Sequence, residues 1–209
     1  MQATPGAATV LLRDGFATPL RSVAGCVLQS DSDGSMRAAV MLFDADSLAV
    51  LGEHRTGLRA PGNAIDDADA GVALLADALG RLSQRPDLLL VAGHGIAHPL
   101  RFGLASQLGV ASDLPSIGIA GDILIGQARL QLHEMRGAFA PLRDGQEQIG
   151  WLLRSQPTDA ALVVSPGHRV AMASAAELVM RFVRDRRFPE PLRQACTLCA
   201  ADPGHDSLT

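Results

Sequence analysis

The sequence predicts an α/β fold in which a mixed central sheet is flanked by helices. Three apolar segments near the N-terminus, at residues 21–28, 37–44 and 47–53, have the composition of strands and follow one another closely. Helical and strand-like segments alternate over the rest of the chain. A meander of strands followed by such an alternation is typical of a mixed sheet with helices packed against it.

The opening meander is interrupted by turn and loop residues. Residues 30–34 contain two aspartates and end in Gly34, which predicts a turn between the first two strands. Residues 54–65 include Gly57 and the Pro61-Gly62-Asn63 sequence, which predict a loop after the third strand.

The first helix is predicted over residues 66–83. Apolar residues recur there at helical spacing, and Asp66 or Asp69 is placed to cap the N-terminus. The continuous apolar run at residues 88–91 favours a central strand covered on both faces. A second helix is expected near residues 102–108 and a strand at residues 116–120.

The C-terminal third predicts two strands and two helices. Residues 148–154 and 161–164 have strand composition, and residues 165–168 read Ser-Pro-Gly-His, which predicts a turn. Ser174 and Glu177 have the spacing of a capping box for the third helix. Pro189 and Pro191 end that helix and begin the last one.

The chain has the size of one domain. We expect a single domain over residues 1–209, with an N-terminal extension at 1–20 and a flexible tail at 201–209. No apolar run reaches the roughly 18 residues that cross a bilayer, and the N-terminus lacks a signal-peptide pattern. These observations predict a cytoplasmic protein with no membrane partner.

Charge composition limits the kinds of partner. The formal net charge is -4, so nucleic acid must be bound by a local patch rather than by a global basic field. All 18 basic residues are arginine, and the chain contains neither lysine nor tyrosine. The chain has three cysteines, Cys26, Cys196 and Cys199. The Cys196-x-x-Cys199 pair is not accompanied by the second pair that a structural metal site needs, which favours free thiols over a metal or redox site.

One segment carries a specific resemblance. Residues 86–99 read P-D-L-L-L-V-A-G-H-G-I-A-H-P, which closely resembles the P-D-L-L-L-V-D-G-H-G-I-A-H-P signature of the endonuclease V family. The similarity continues in register through residues 103–120, resumes at residues 164–170 (V-S-P-G-H-R-V), and includes Pro189-Glu190-Pro191. Residues 23–25 (V-A-G) resemble the first strand of the family.

The resemblance implies a ribonuclease H-like fold and a role either in DNA repair or in the processing of inosine-containing nucleic acid. Members of the family cut near deoxyinosine in DNA or inosine in RNA, with Mg²⁺ held by carboxylates. Their signature also implies that Gly93, His94 and Gly95 approach a flipped base.

The residues that the family uses for metal binding are replaced in this chain. The family aspartate of the first strand corresponds to Val27, the glutamate of a P-G-x-x-x-F-R-E segment to Ala68, and the aspartate of V-D-G-H-G to Ala92. The family lysine corresponds to Gly121. Within this resemblance His168 is the retained member of the catalytic set, so we expect no metal cofactor to bind.

Other aspartates offer an alternative metal site. Asp31, Asp67, Asp69 and Asp122 lie close in sequence to the replaced positions. Their positions in a turn or at a helix start give each of them a structural explanation as well.

The candidates for nucleic-acid contact are four arginines, Arg59, Arg169, Arg181 and Arg184.

The resemblance and the replaced carboxylates leave three hypotheses for the function. The chain is a catalytically degenerate nuclease that binds nucleic acid or a protein partner, an active endonuclease with relocated carboxylates, or a scaffold without nucleic-acid contact.

Overall fold

A nine-stranded sheet with helices on both faces organises the residues that the computed structural model describes, which are 9–58 and 68–201. The strands are β1 (Ser22–Ser30), β2 (Met36–Asp44), β3 (Val50–Leu58), β4 (Leu88–Ala92), β5 (Ser116–Ala120), β6 (Gln127–Ala128), β7 (Phe139–Asp144), β8 (Glu147–Leu153) and β9 (Leu162–His168). The helices are α1 (Ala68–Gly80), α2 (Leu104–Ser112), α3 (Met172–Arg181) and α4 (Glu190–Ala200).

The sheet is mixed, as the sequence predicts. Its strand order is β3-β2-β1-β4-β5-β9-β8-β7-β6. The central strands β1, β4 and β5 are parallel, and the neighbouring pairs on either side are antiparallel. The structure therefore confirms the mixed α/β architecture, with the opening meander on one side of the parallel centre.

Burial of β4 on both faces explains its continuous apolar run. Leu88 and Leu90 face a core cluster that includes residues of α3 and α4, whereas Leu89 and Val91 face a second cluster with residues of α1 and α2. All four side chains are fully buried. Such a strand cannot alternate apolar and polar residues, because neither of its faces meets water.

Close packing brings α4 directly onto β1. A Cβ atom added at Gly25 would lie 2.1 Å from the carbonyl oxygen of Pro191, a distance that a side chain cannot occupy. The glycine therefore lets α4 cross the sheet in contact with the β1 backbone. This packing sets the position of α4 beside the ends of β1 and β4.

Two strands extend further than predicted. β3 begins at Val50 and continues through residues 54–58, which were expected to form a loop, because pairing with β2 persists to the end of that segment. β9 continues through Pro166 to His168, where a turn was expected. Its register against β5 shifts between Ser116 and Ile117, and such an irregularity accommodates a proline that has no N–H to donate.

The predicted capping box of α3 is wrong. The helix begins at Met172, so Ser174 already lies in its first turn. Its Oγ donates to Asp14 Oδ2 at 2.6 Å, and the Ala171 backbone N–H donates to Asp14 Oδ1 at 2.7 Å. The Asp14 carboxylate, from the N-terminal segment, thus caps the N-terminus of this helix.

The remaining differences are smaller. Helix α1 ends at Gly80 rather than at residue 83, and α2 is shifted toward the C-terminus relative to residues 102–108. The short strands β6 and β7 were not predicted. Asp66 and Asp67, the predicted tail beyond residue 201, and the first eight residues of the predicted extension lie outside the described residues. No helix in the described part of the chain is both long and apolar enough to cross a membrane.

Candidate active site

Val27 and Ala92 lie next to each other just beyond the paired part of two parallel strands, β1 and β4. The β1–β4 pairing extends to Cys26 opposite Val91, and Val27 and Ala92 are the next residues along the two strands. Val27 is 2% exposed within the core cluster under α3 and α4, and the half-buried Ala92 packs against the same cluster. The structure therefore brings together two of the positions predicted to have lost a carboxylate.

A cavity of about 390 Å³ opens beside Ala92. Its walls are Ala92 and Gly93 at the end of β4, residues 119–121 at the end of β5, and Phe188. Three residues of α4, namely Leu192, Arg193 and Cys196, complete the lining. Gly121 thus lines the same cavity as Ala92.

Arg187 fixes the loop that carries the cavity wall. Its Nη2 donates to the carbonyl oxygens of Gly121 and Ala161 at 2.7 and 2.9 Å, and its Nε donates to that of Ala160 at 2.9 Å. The guanidinium carbon also lies 5.2 Å from the centroid of the Phe188 ring. A cation is therefore present near Gly121, but its hydrogen bonds are directed at backbone carbonyls.

Cys196 is a cavity residue that the sequence reasoning missed. It lies one helical turn beyond Leu192 on α4, so both side chains face the same cavity. Burial raises the pKa of its thiol, which favours the neutral form. The in-register match at Pro189-Glu190-Pro191 was a signal that the following helix belongs to the site.

His168 lies at the opposite end of β5 from Ala92. It pairs with Ser116 at the start of β5, whereas Ala92 pairs with Ile119 near the end of that strand. Its Nδ1 accepts a hydrogen bond from the Leu11 backbone N–H at 3.3 Å, and burial is the main cause of its lowered pKa. The structure therefore does not bring His168 to the Val27–Ala92 position, and its membership of a catalytic set stays a prediction.

The Gly93-His94-Gly95 segment is shaped by close backbone packing. Gly93 has a φ of +147°, and a Cβ at Gly95 would lie 2.1 Å from the Pro166 carbonyl oxygen. The Gly95 N–H donates to Ser165 Oγ at 2.8 Å, and His94 Nε2 lies 3.1 Å from the Asp122 carbonyl oxygen. These contacts explain the glycines structurally, and the base-pocket role of this segment stays a prediction.

Two of the predicted nucleic-acid arginines form ion pairs. Arg169 lies 2.6 Å from Asp113, and Arg181 lies 2.5 Å from Asp46. Arg184 is exposed in the α3–α4 connection. Arg59 lies outside the described residues. Arg184 precedes Phe188, a residue of the cavity wall, by four positions in that connection.

The alternative aspartates that the structure describes do not converge on one point. Asp31 follows β1 and pairs with Arg37 at 2.9 Å, Asp69 lies in the first turn of α1, and Asp122 follows Gly121. Asp67 lies outside the described residues. Within residues 9–58 and 68–201, no group of three or more His, Cys, Asp or Glu residues could hold a metal ion.

Comparisons with known proteins identify what this chain is similar to. A family model described as Endonuclease V matches residues 68–197. The Endonuclease V of Azotobacter vinelandii is 42% identical over 93% of this chain and 88% of that protein. The Endonuclease V of Roseiflexus castenholzii is 40% identical over 92% of this chain and 86% of that protein.

Solved structures agree with the fold. The Endonuclease V of Streptomyces avermitilis superposes with a TM-score of 0.82 at 32% identity, covering 93% of this chain and 86% of that chain. The catalytic domain of human Endonuclease V gives a TM-score of 0.84 at 28% identity, with 93% and 89% of the two chains covered. The sheet with helices on both faces is therefore the ribonuclease H-like architecture of these proteins.

Proposed function

Because this chain belongs to the endonuclease V family, we propose that it is a nucleic-acid-binding member that no longer cleaves its ligand. The observation that carries the proposal is the apolar cavity lined by Ala92, the position to which the resemblance assigns one of the metal-binding aspartates. The ligand class is inosine-containing or single-stranded nucleic acid, DNA or RNA, and the compartment is the cytoplasm. A role in DNA repair would then be one of binding rather than cutting.

The residues around the cavity do not suit the Mg²⁺ on which the family generally depends. Magnesium is a hard cation that takes oxygen ligands, whereas Val27, Ala92 and Gly121 supply none from their side chains. Cys196 is exposed on α4, and partial burial of its thiol against the cavity wall raises the pKa of that thiol, which favours the neutral form. We therefore derive no cleavage step for this site.

Local charge supports nucleic-acid binding. Five arginines and two acidic residues lie between positions 181 and 193, in a chain whose formal net charge is -4. The arginines are Arg181, Arg184, Arg186, Arg187 and Arg193, and the acidic residues are Asp185 and Glu190. Arg181 and Arg193 are paired with Asp46 and Glu190, and Arg187 donates to backbone carbonyls. We therefore expect the exposed Arg184 and Arg186 to make the phosphate contacts that an otherwise acidic protein needs for nucleic acid.

A cleavage assay tests the loss of activity. We expect no nicking of deoxyinosine-containing DNA or inosine-containing RNA with Mg²⁺ or Mn²⁺, even when the protein is in large excess over substrate. The Azotobacter vinelandii relative, run in the same reactions, controls for substrate and buffer. Nicking by this chain that EDTA abolishes would overturn the proposal.

A gel-shift assay on the same substrates tests binding. We expect complexes at low salt that dissociate as salt rises, because binding through phosphates releases counterions. Arg184→Gln with Arg186→Gln should weaken them, whereas Arg81→Gln on α1, where Arg81 pairs with Asp77 in solvent, should not. Absence of any shift at low salt would instead favour a scaffold that binds a protein partner.

Cleavage through relocated carboxylates is the second candidate. It is favoured by the positions of Asp31, which directly follows β1, and Asp122, which follows β5 after Gly121. A crystal soaked in Mn²⁺ decides between the two candidates. An ordered ion bound by these aspartates near Val27 and Ala92 would support the enzyme, and nicking lost in the Asp31→Asn and Asp122→Asn variants would identify its ligands.

A further inference from the structure

The strand β3 forms one edge of the sheet. It stands at the end of the strand order, and among the described residues it pairs with β2 alone. Its nine residues exceed the about 5–6 that are usual for a strand, whereas β6 at the opposite edge has two. The N–H and C=O groups on the outer side of such a strand are a template for pairing with another strand.

Few features of β3 oppose such pairing. Its sequence, V-L-G-E-H-R-T-G-L, contains neither proline nor lysine, the residues that commonly protect an edge. Its pairing with β2 is regular from Gly52 to Leu58, so no bulge interrupts the edge over that length. Val50 and Leu51 are 49% and 41% exposed, which leaves apolar surface at this edge. A long, regular edge with exposed apolar side chains favours the addition of a strand.

The side chains of β3 alternate between the two faces of the sheet. Gly52 lies on the α1 side, because a Cβ atom added there would be 3.8 Å from a methyl carbon of Leu82. Arg55 lies on the α4 side, because its Nη1 donates to the carbonyl oxygens of Leu198 and Ala201. Residues that face each other in an antiparallel pair share a face. Two copies of β3 related by a two-fold axis therefore place one residue opposite its own copy.

His54, the middle residue of β3, is the centre that makes the charges complementary. With His54 opposite its own copy, Glu53 faces Arg55 of the second copy, and Arg55 faces the second Glu53. Glu53 is exposed and has no ion pair within the described residues, where Arg55 uses one guanidinium nitrogen, Nη1. Opposite charges directly across an antiparallel pair stabilise it, and the axis repeats this contact.

The sizes of the side chains are complementary in the same register. Gly52 faces Thr56 of the second copy, and Gly57 faces Leu51 of the second copy. Each glycine is thus opposite a larger side chain that covers its bare backbone, and the exposed Leu51 gains apolar contact. All nine residues of the strand are paired in this register, because His54 is its midpoint.

The neighbouring registers are less favourable. Centring the pair on Glu53 places the two glutamates opposite each other, and centring it on Arg55 does the same with the two arginines. Like charges directly opposite destabilise an antiparallel pair. These registers also leave two of the nine residues of each strand unpaired, because only positions 50–56 or 52–58 then overlap.

We propose that the protein forms a two-fold symmetric dimer in which β3 of one chain pairs antiparallel with β3 of a second copy, with His54 at the axis. The two nine-stranded sheets join into one. Because the axis reverses the strand directions, the cavities beside Ala92 open at opposite ends of the joint sheet. Each chain keeps its own site, and the dimer does not depend on the proposed nucleic-acid binding.

Sedimentation equilibrium tests the dimer and the contribution of its charges. We expect the wild-type protein to show a reversible monomer–dimer equilibrium. Glu53→Arg creates two like-charged facing pairs and should weaken association at least about 10-fold. Glu134→Arg makes the same change of charge at an exposed residue that precedes β7, and it should leave association unchanged.

A mixture of two charge variants tests the register. Arg55→Glu alone creates two facing pairs of glutamates, so it should associate as weakly as Glu53→Arg. The mixture restores two oppositely charged pairs and should form a heterodimer more tightly than either variant associates with itself. Circular dichroism shows whether each variant is folded, because Arg55→Glu also loses the hydrogen bonds of Arg55 to the end of α4.

Disulfide cross-linking at the axis leaves Arg55 unchanged. In His54→Cys the two introduced thiols face each other, with the Cα separation of about 4.5–5.5 Å that a disulfide spans. In Thr56→Cys, on the same face, they are four residues apart along the joined strands, about 13 Å, which a disulfide does not span. Both variants also carry Cys196→Ser, because Cys196 is an exposed thiol. Mild oxidation should cross-link the first variant and not the second.

Two kinds of result would overturn the inference. One is a wild-type protein that sediments as a monomer at every concentration, with no cross-link in His54→Cys. The other is a dimer whose association is unchanged in folded Glu53→Arg, because the two chains then meet through another surface. Cross-linking of His54→Cys together with weakened association of Glu53→Arg supports the dimer, whatever the outcome of the nucleic-acid binding assays.

Discussion

Arg187 Nη2 donates a 2.7 Å hydrogen bond to the carbonyl oxygen of Gly121, the residue in the place of the family lysine. The positive charge in this part of the protein thus comes from the α3–α4 connection rather than from the strand end. This charge holds backbone segments together, because the same guanidinium also donates hydrogen bonds to the carbonyl oxygens of Ala160 and Ala161. The Arg187 charge is therefore directed at backbone carbonyls that hold the cavity wall in place.

Replacing Arg187 should therefore destabilise the protein. Arg187→Ala leaves three carbonyl oxygens without their charged donor, and we expect a loss of about 1–3 kcal/mol in the free energy of unfolding. Urea denaturation measures it. Arg81→Ala is the matched control, because it removes an exposed i,i+4 ion pair with Asp77 that contributes about 0.5 kcal/mol or less. Equal losses in the two variants would show that the carbonyl contacts contribute little.

Local signals in the sequence were sufficient for the central sheet. The strand at residues 116–120 was predicted with its observed bounds, because Pro115 and Gly121 bracket an apolar run. Residues 88–91 were recognised as a buried strand for the same reason. Such segments have the composition that their final environment requires, so a reading of neighbouring residues is enough.

Long-range pairing and helix crossing were not predictable in the same way. The Pro166-Gly167 pair looks like a turn, yet pairing with distant β5 keeps it in a strand. His168 is separated from Ala92 because the two residues pair with opposite ends of β5. A sequence motif does not reveal which end of a strand a distant residue pairs with. Cys196 enters the cavity only because α4 crosses β1 at Gly25, which is a fact of tertiary packing.

The N-terminal segment should contribute to stability through Asp14. Its carboxylate accepts hydrogen bonds from the Ala171 N–H and the Ser174 hydroxyl at the start of α3. We expect Asp14→Ala to cost about 1 kcal/mol, the usual contribution of a helix-capping side chain. Chemical denaturation of this variant beside Asp77→Ala, an acidic side chain within α1, checks the expectation. A smaller effect at Asp14 than at Asp77 would contradict it.

His168 should make the protein less stable in mild acid. Burial, and secondarily the Arg169 charge, lower the pKa of this imidazole, while Asp113 acts in the opposite direction. Because the folded state binds the proton less readily than the unfolded state, stability is fully present above the unfolded pKa of about 6.5 and is lost as pH falls through the folded pKa.

Melting temperatures measured between pH 5 and 8 test this expectation. His168→Gln, which retains an acceptor for the Leu11 N–H, should show a smaller decline below pH 6.5 than the wild-type protein. His98 also has a lowered pKa, caused mainly by burial and secondarily by His94, so the double variant with His98→Gln should decline least. Parallel curves for all three proteins would assign the decline to other groups.

Carboxylates placed at three positions of the site should recreate a metal-binding cluster. Val27 and Ala92 are the next residues beyond the paired part of β1 and β4, and Cys196 faces the cavity that Ala92 lines. Val27→Asp alone buries an unpaired charge and should cost about 3 kcal/mol or more. Adding Ala92→Asp and Cys196→Asp brings like charges together, which lowers stability further until a cation neutralises them.

Mn²⁺ should therefore raise the melting temperature of the V27D/A92D/C196D variant, because an ion that binds the folded state stabilises it in proportion to its affinity. The V27N/A92N/C196N variant has side chains of the same size without the charge, and Mn²⁺ should leave it and the wild-type protein unchanged. Differential scanning fluorimetry with and without the ion gives the comparison. If the aspartate variant folds but does not respond to Mn²⁺, the three positions do not converge on one ion, and the cavity beside Ala92 is not the degenerate metal site.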